Sequence, residues 1–362
     1  MTTEQASPEQ SRTVPFLGIA NGDEKETQDA GALEAPDRLR ILCNLANHEY
    51  EAGGQKRLDH ELHVILELGL DDFFLALVDI HRFALSQGHV VLLEGPAASS
   101  LVVHLLGLNP VNPLHHRLLF ERFLDPSRTF APSCTFSISG GGKAEVVRYA
   151  GEKLGWDAAT TEECPTQAYS HEWHSPAGGR TYRATIDVVV HPGLTVLKRT
   201  VELVQERGGL NAIPSRLPDR DGKTIALLHS GETEDIYQFR TSHEQELLRK
   251  LKPEGIDDLA VVCSLVHEGQ SSTGVASAYL DQRAGQAARS YLHPWLKDIL
   301  GETHGVLLYH EQVMEMVHLF GGMKLRDGNV LVMEVCRRRL EKIDMLRERF
   351  VAGATEKLIE PG

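Results

Sequence analysis

Apolar residues recur at helical spacing from Arg57 to Leu68, where Leu58, Leu62, Ile65 and Leu66 form one stripe that stops at Gly69. A second helical pattern runs from Asp71 to Gln87. Asp71 or Asp72 is placed to cap it, Phe74, Leu75, Val78 and Phe83 supply its apolar face, and Gly88 ends it. The run His89-Val90-Val91-Leu92-Leu93 predicts a short buried strand. Gly95-Pro96 then turns the chain into a helix over Ala97 to Leu106. Phe130 to Ile138 reads as another strand, in which β-formers alternate with small hydroxyl residues. Ser139-Gly140-Gly141-Gly142 leads into a helix from Lys143 to Leu154. Trp156 to Arg180, with its Pro, Gly, Ser and Thr, predicts an irregular segment. An apolar strand over Arg183 to His191 and a helix over Leu194 to Arg207 follow, and from Lys223 the pattern is helical.

Composition narrows the classes. At 362 residues, with 41% hydrophobic and 24% charged residues, the chain has ordinary globular composition and can bury a full core. No apolar run approaches the roughly 20 residues that span a bilayer. The first residues show no basic start followed by an apolar core, so a cytoplasmic location is expected. Five scattered cysteines without a CxxC pair predict free thiols. Residues 1–35, rich in acidic and small polar side chains, predict a disordered acidic arm. The net charge of −14 lowers the expectation of unaided, tight binding to a phosphate backbone.

Several stretches together resemble a known family. "GLNPVNPLHHRLLFERFLDPSRTFAP" ahead of the Ser133 strand, "ATIDVVVHPGLTVLKRTVEL" at the second strand, and "YLHPWLKDILGETHGVLLYHEQVMEMV" in the helical part resemble bacterial C-family replicative DNA polymerases, the DNA polymerase III alpha subunits. The resemblance covers roughly residues 38–155 and 183–354. It implies an α/β, polymerase-β-like nucleotidyltransferase palm, a mixed sheet with helices, over 36–210. An all-helical partial fingers lobe over 211–362 is implied to follow. The segment 156–182 is then expected to be a loop left where a thumb insertion is lost.

The family's palm strand carries alternating aspartates that hold catalytic metal ions. Here those positions are Ser133, Thr135 and Ser137, and the remaining family aspartate falls on Asp187. Two-metal nucleotidyl transfer needs carboxylates around hard ions, and neutral hydroxyls cannot neutralise two dications. The family's phosphate cradle, an arginine between two glycines and then a serine, corresponds to Leu93-Glu94-Gly95-Pro96. Gly95 is kept and an acid has entered. At about 4 Å and an effective dielectric near 20, a like-charge pair costs roughly 4 kcal/mol, which opposes a triphosphate. A family Arg-Pro-Gly-Pro turn corresponds to His267-Glu268-Gly269-Gln270, and a family arginine pair to Val332 and Met333. The basic cluster survives as Arg337-Arg338-Arg339, either a phosphate contact or a helix face balanced by Glu341, Asp344 and Glu348. His171-x-x-His174 near Cys164 and Glu172 has only loose metal-ligand spacing.

The expectation is a truncated, catalytically inactive relative with a binding or accessory role toward DNA and replication or repair proteins, and with no cofactor. A working nucleotidyltransferase is the alternative. It would recruit Glu94, Asp125 and Asp187 and use magnesium. A decaying gene product without a selected role is the third reading.

Overall fold

The computed structural model describes residues 33–46, 52–127, 132–154, 157–159, 168–174, 181–207, 217–218, 220–266, 274–288 and 291–358. The acidic arm over 1–35 lies almost wholly outside them, as do Cys164 and the His267–Gln270 turn. The side chains of His171, Glu172 and His174 are also outside the description. The chain divides into two compact units, residues 1–217 and 218–362.

In the first unit, helices α1 (Ala35–Ala46), α2 (Ala52–Glu67) and α3 (Asp71–Ser86) precede a five-stranded sheet. Its strands are β1 (Val91–Glu94), β2 (Ser133–Ile138), β3 (Asp157–Ala159), β4 (Ala168–His174) and β5 (Thr181–Val190), in the order β1-β2-β5-β4-β3. β2 and β5 are parallel, and every other pairing is antiparallel, so the sheet is mixed as expected. Alternation decides which side is buried. Val91, Leu93, Cys134, Phe136, Ile138, Ala184, Ile186 and Val188 all face one core, together with Phe73, Phe74 and Leu77 of α3. Val146 and Ala150 of α5 (Lys143–Leu154) close it. Leu194, Leu197 and Val201 of α6 (Pro192–Glu206) pack against Val90 and Leu92.

Three expectations need correction here. The segment 156–180 holds strands β3 and β4. β4 pairs along β5 from Ala168↔Asp187 to His174↔Thr181, which satisfies the outer edge of β5. Tyr169, His171 and Trp173 alternate with smaller or polar residues, a period-2 pattern that the flanking Gly, Pro and Thr mask. The helix expected over Ala97–Leu106 is instead a 3-10 segment, Gly95–Ser99, followed by the short α4 (Leu101–Leu105). Two small residues, Ala97 and Ser99, are buried in that tighter turn. Finally, Leu70 rather than Asp71 or Asp72 occupies the N-cap of α3, with no side-chain capping bond. The two acids lie in the first turn, where they face the positive end of the helix.

The second unit is helical among its described residues. It runs α7 (Gly222–Ser230), α8 (Ser242–Leu251), α9 (Ile256–Val266), α10 (Val275–Arg283), α11 (Leu296–Leu300), α12 (His310–Leu319), α13 (Leu325–Cys336) and α14 (Leu340–Leu358). Thr241 and Glu244 form a reciprocal cap at the start of α8. Asp258 and Arg283 tie α9 to α10 through paired hydrogen bonds, one of 2.9 Å. α13 lies close against α12 because Gly328 has no side chain. A Cβ there would stand 2.5 Å from the Met314 Cα.

Candidate functional site

The polar face of the sheet is the opposite side of the same alternation. Ser133, Thr135 and Ser137 on β2 share that face with Thr185, Asp187 and Val189 on β5, and with Leu92 and Glu94 on β1. One lateral row reads Glu94, Thr135, Asp187, because Glu94 pairs with Thr135 and Thr135 with Asp187. The acids at the two ends are therefore two strand spacings apart, roughly 9–10 Å between Cα atoms. The neutral Thr135 stands between them. Among the described residues no group of three or more His, Cys, Asp or Glu side chains is placed to hold a metal ion.

Burial holds the Asp187 carboxyl above the usual carboxylate range, and Lys143 at the start of α5 offsets this in part. Ser137 is buried, and Ser133 at the other end of the strand is exposed. Asp125 lies outside this row. Its carboxylate accepts from the Ser127 backbone at 2.9 Å and from the Ser127 hydroxyl, closing the turn after Leu124.

The cradle beside β1 is built differently from a free anion site. Gly95 takes φ +75°, a conformation that suits glycine, and directs the chain into the 3-10 segment. The start of α4 is occupied from within. Glu61 of α2 is fully buried, and its carboxylate accepts from the amides of Leu101 (3.0 Å) and Val102 (3.1 Å) and from the Ser100 hydroxyl (2.7 Å). Arg57, one turn earlier, donates to it at 2.6 Å and also to the carbonyls of Ser99 and Leu118. A protein carboxylate thus sits on the first amides of α4. Sequence reading passed over Glu61, although a signal existed. At 100° per residue it falls on the apolar stripe of Leu58, Leu62 and Ile65, an unusual place for an unpaired acid.

In the second unit, Arg337, Arg338 and Arg339 occupy the turn between α13 and α14, with Arg338 at φ +54°, and do not form a helix face. Their anionic neighbour is also a different one. Glu334 is buried, and the Nη1 atoms of Arg337 and Arg339 lie 3.7 and 3.8 Å from it, with Lys342 at 3.8 Å. Val332 is buried and Met333 is exposed.

With this geometry in place, comparison with known proteins gives a consistent answer. Residues 35–166 match the bacterial DNA polymerase III alpha NTPase domain, and residues 193–358 match the bacterial DNA polymerase III alpha subunit finger domain. The chain belongs to the family of bacterial DNA polymerase III alpha subunits. A DNA polymerase III subunit alpha of Staphylococcus aureus is 24% identical over 83% of this chain and 37% of its own length. One from Halalkalibacterium halodurans is 25% identical over 89% of this chain and 38% of its own length. The chain thus spans under two fifths of the length of these polymerase III relatives. An α/β palm with a helical lobe is the fold that the family resemblance implies, and the mixed sheet and the helical second unit agree with it. Among the described residues no helix is long and apolar enough to cross a membrane.

Proposed function

We propose that this polymerase III alpha relative is catalytically inactive and acts by binding, with DNA or replication and repair proteins as its partners. The observation that carries the reading is the row Glu94–Thr135–Asp187. The two acids stand two strand spacings apart, and only hydroxyls stand on the strand between them, so the row offers two carboxylates at most. Two-metal transfer asks for ions about 3.5–4 Å apart with several carboxylates between them. Asp187 offers one carboxylate where several are needed. Gly95 and the Arg337–Arg339 cluster are the remaining candidates for phosphate contact. At the first, Glu61 already fills the adjacent helix start. At the second, Glu334 already attracts two of the three arginines. On this reading residues 36–210 act as the palm and 211–362 as the partial fingers, and no cofactor is required.

A second reading keeps a specific observation in its favour: Glu94 and Asp187 do face the same side of the sheet. If the Glu94 side chain leaned inward over Thr135, the two could bracket one magnesium ion. Primer extension with magnesium or manganese separates the two readings. The inactive reading expects no template-dependent incorporation above a polymerase-free control. Incorporation that disappears in Asp187→Asn and in Glu94→Gln would establish the second reading instead.

A further inference from the structure

On α13, Arg326, Val330 and Met333 recur at i, i+4 and i+7 on one stripe, and Arg337, the C-cap residue just past the helix with right-handed backbone, continues the line at i+11. The buried residues Gly328 and Val332 lie on the opposite side, where Gly328 meets Met314 of α12. Val330 is 39% exposed and Met333 40%, and the Arg337 side chain is 52% exposed. The stripe therefore reads cation, apolar, apolar, cation over roughly 17 Å, and it reads the same from either end. Its surroundings are basic in an acidic protein. Residues 324–358 hold nine Lys and Arg against six Asp and Glu, whereas the whole chain carries −14.

We propose that this face of α13 is a docking surface for an acidic amphipathic helix of a partner protein. The partner presents two carboxylates spaced to meet Arg326 and Arg337, and apolar side chains between them to cover Val330 and Met333. This gives a site to the binding role proposed above and rests on that reading. Charge complementarity selects an acidic partner. The two aliphatic residues between the cations select a protein over a nucleic acid, because they gain from apolar burial and offer no aromatic ring on which a base could stack. Arg337 lies 3.7 Å from Glu334 and Arg326 3.9 Å from Asp327, so a partner's carboxylates compete with these internal acids for the two guanidinium groups and the apolar pair between them adds the selectivity.

The test uses the full chain and a labelled helix-forming peptide with Glu at i and i+11 and Leu at i+4 and i+7. A scrambled peptide of the same composition and a single-stranded oligonucleotide serve as comparators. Fluorescence anisotropy should show the patterned peptide binding about tenfold more tightly than the scrambled one, and Met333→Glu should weaken it by about tenfold. In a spectrum of ε-methyl-labelled methionines, the Met333 resonance should shift on titration while that of buried Met314 stays put. Circular dichroism checks that the exposed substitution leaves the helices intact. If Met333→Glu fails to fold, Val330→Glu is the second variant and should show the same loss. Equal binding of the two peptides, no binding of the patterned one, or its displacement by the oligonucleotide at equal concentration overturns the proposal. Primer extension reports on the inactive reading separately. Activity there leaves the Met333 shift untouched, and loss of peptide selectivity leaves that assay silent.

Discussion

Single side chains set how this protein responds to pH. His81 is buried under the sheet beside Phe136, and its Nε2 has no hydrogen-bond partner among the described residues. Burial pushes its pKa down to about 4, a bond to the Val91 backbone resists this, and Arg82 adds to the depression. Unfolding frees the imidazole to take a proton near its ordinary value of about 6.5. The unfolded state then binds more protons than the native state between about pH 6.5 and 4. Stability is therefore full above that window and falls as pH drops through it, by roughly 3 kcal/mol at most. Urea unfolding across this range should show the fall in the native chain and a shallower one in His81→Leu, and equal slopes would refute the assignment. Asp187 carries the opposite sign. Its raised pKa favours folding at low pH, and that contribution fades as pH rises through the raised value. The polar face of β2 was readable from the alternation of hydroxyl and apolar residues. That Asp187 stands directly beside Thr135 was not, because register between strands distant in sequence is set by the whole sheet.

At the scale of elements, Glu61 links α2 to α4. Removing its carboxylate with Glu61→Ala leaves two buried amides, the Ser100 hydroxyl and the Arg57 Nε without this acceptor, while the Arg57 Nη2 keeps the carbonyls of Ser99 and Leu118. Orphaned buried donors and a broken, largely buried ion pair together cost about 3–5 kcal/mol. Denaturant unfolding measures this directly, and a loss below about 1 kcal/mol would mean that water replaces the carboxylate. The helices α3 and α5 were legible because strong apolar periodicity ends at Gly88 and begins after Gly142, so propensity and packing agree. The region after β1 was misread as one helix. Nothing local distinguishes a 3-10 segment from an α-helix in Gly-Pro-Ala-Ala-Ser, and the break at Ser100 depends on a carboxylate about 40 positions earlier in the chain. β4 was missed for a related reason: its stability comes from pairing with β5 more than from its own composition.

For the whole molecule the decisive quantity is charge. A formal −14 repels a polyanion at long range, and screening at physiological salt confines that repulsion to about 8 Å. Contact with DNA is then left to local basic surface, of which the turn Arg337–Arg338–Arg339 is the densest in sequence. Glu334 already attracts two of these arginines, so DNA competes with an internal carboxylate for them. Non-specific affinities usually fall between about 10⁻⁴ and 10⁻⁶ M at physiological salt, and if the proposed binding role includes DNA, the expected affinity is at the weak end, near 10⁻⁴ M. With about three phosphates neutralised, log K should fall with log salt at a slope near −2 on single strands. Replacing all three arginines with alanine should flatten that slope, while Glu334→Gln should tighten binding by releasing Arg337 and Arg339. Anisotropy with a labelled oligonucleotide over a salt series measures both. Affinity below about 10⁻⁶ M that survives the triple substitution would place the DNA-binding surface elsewhere in the chain, and the acidic total would then conceal a basic groove.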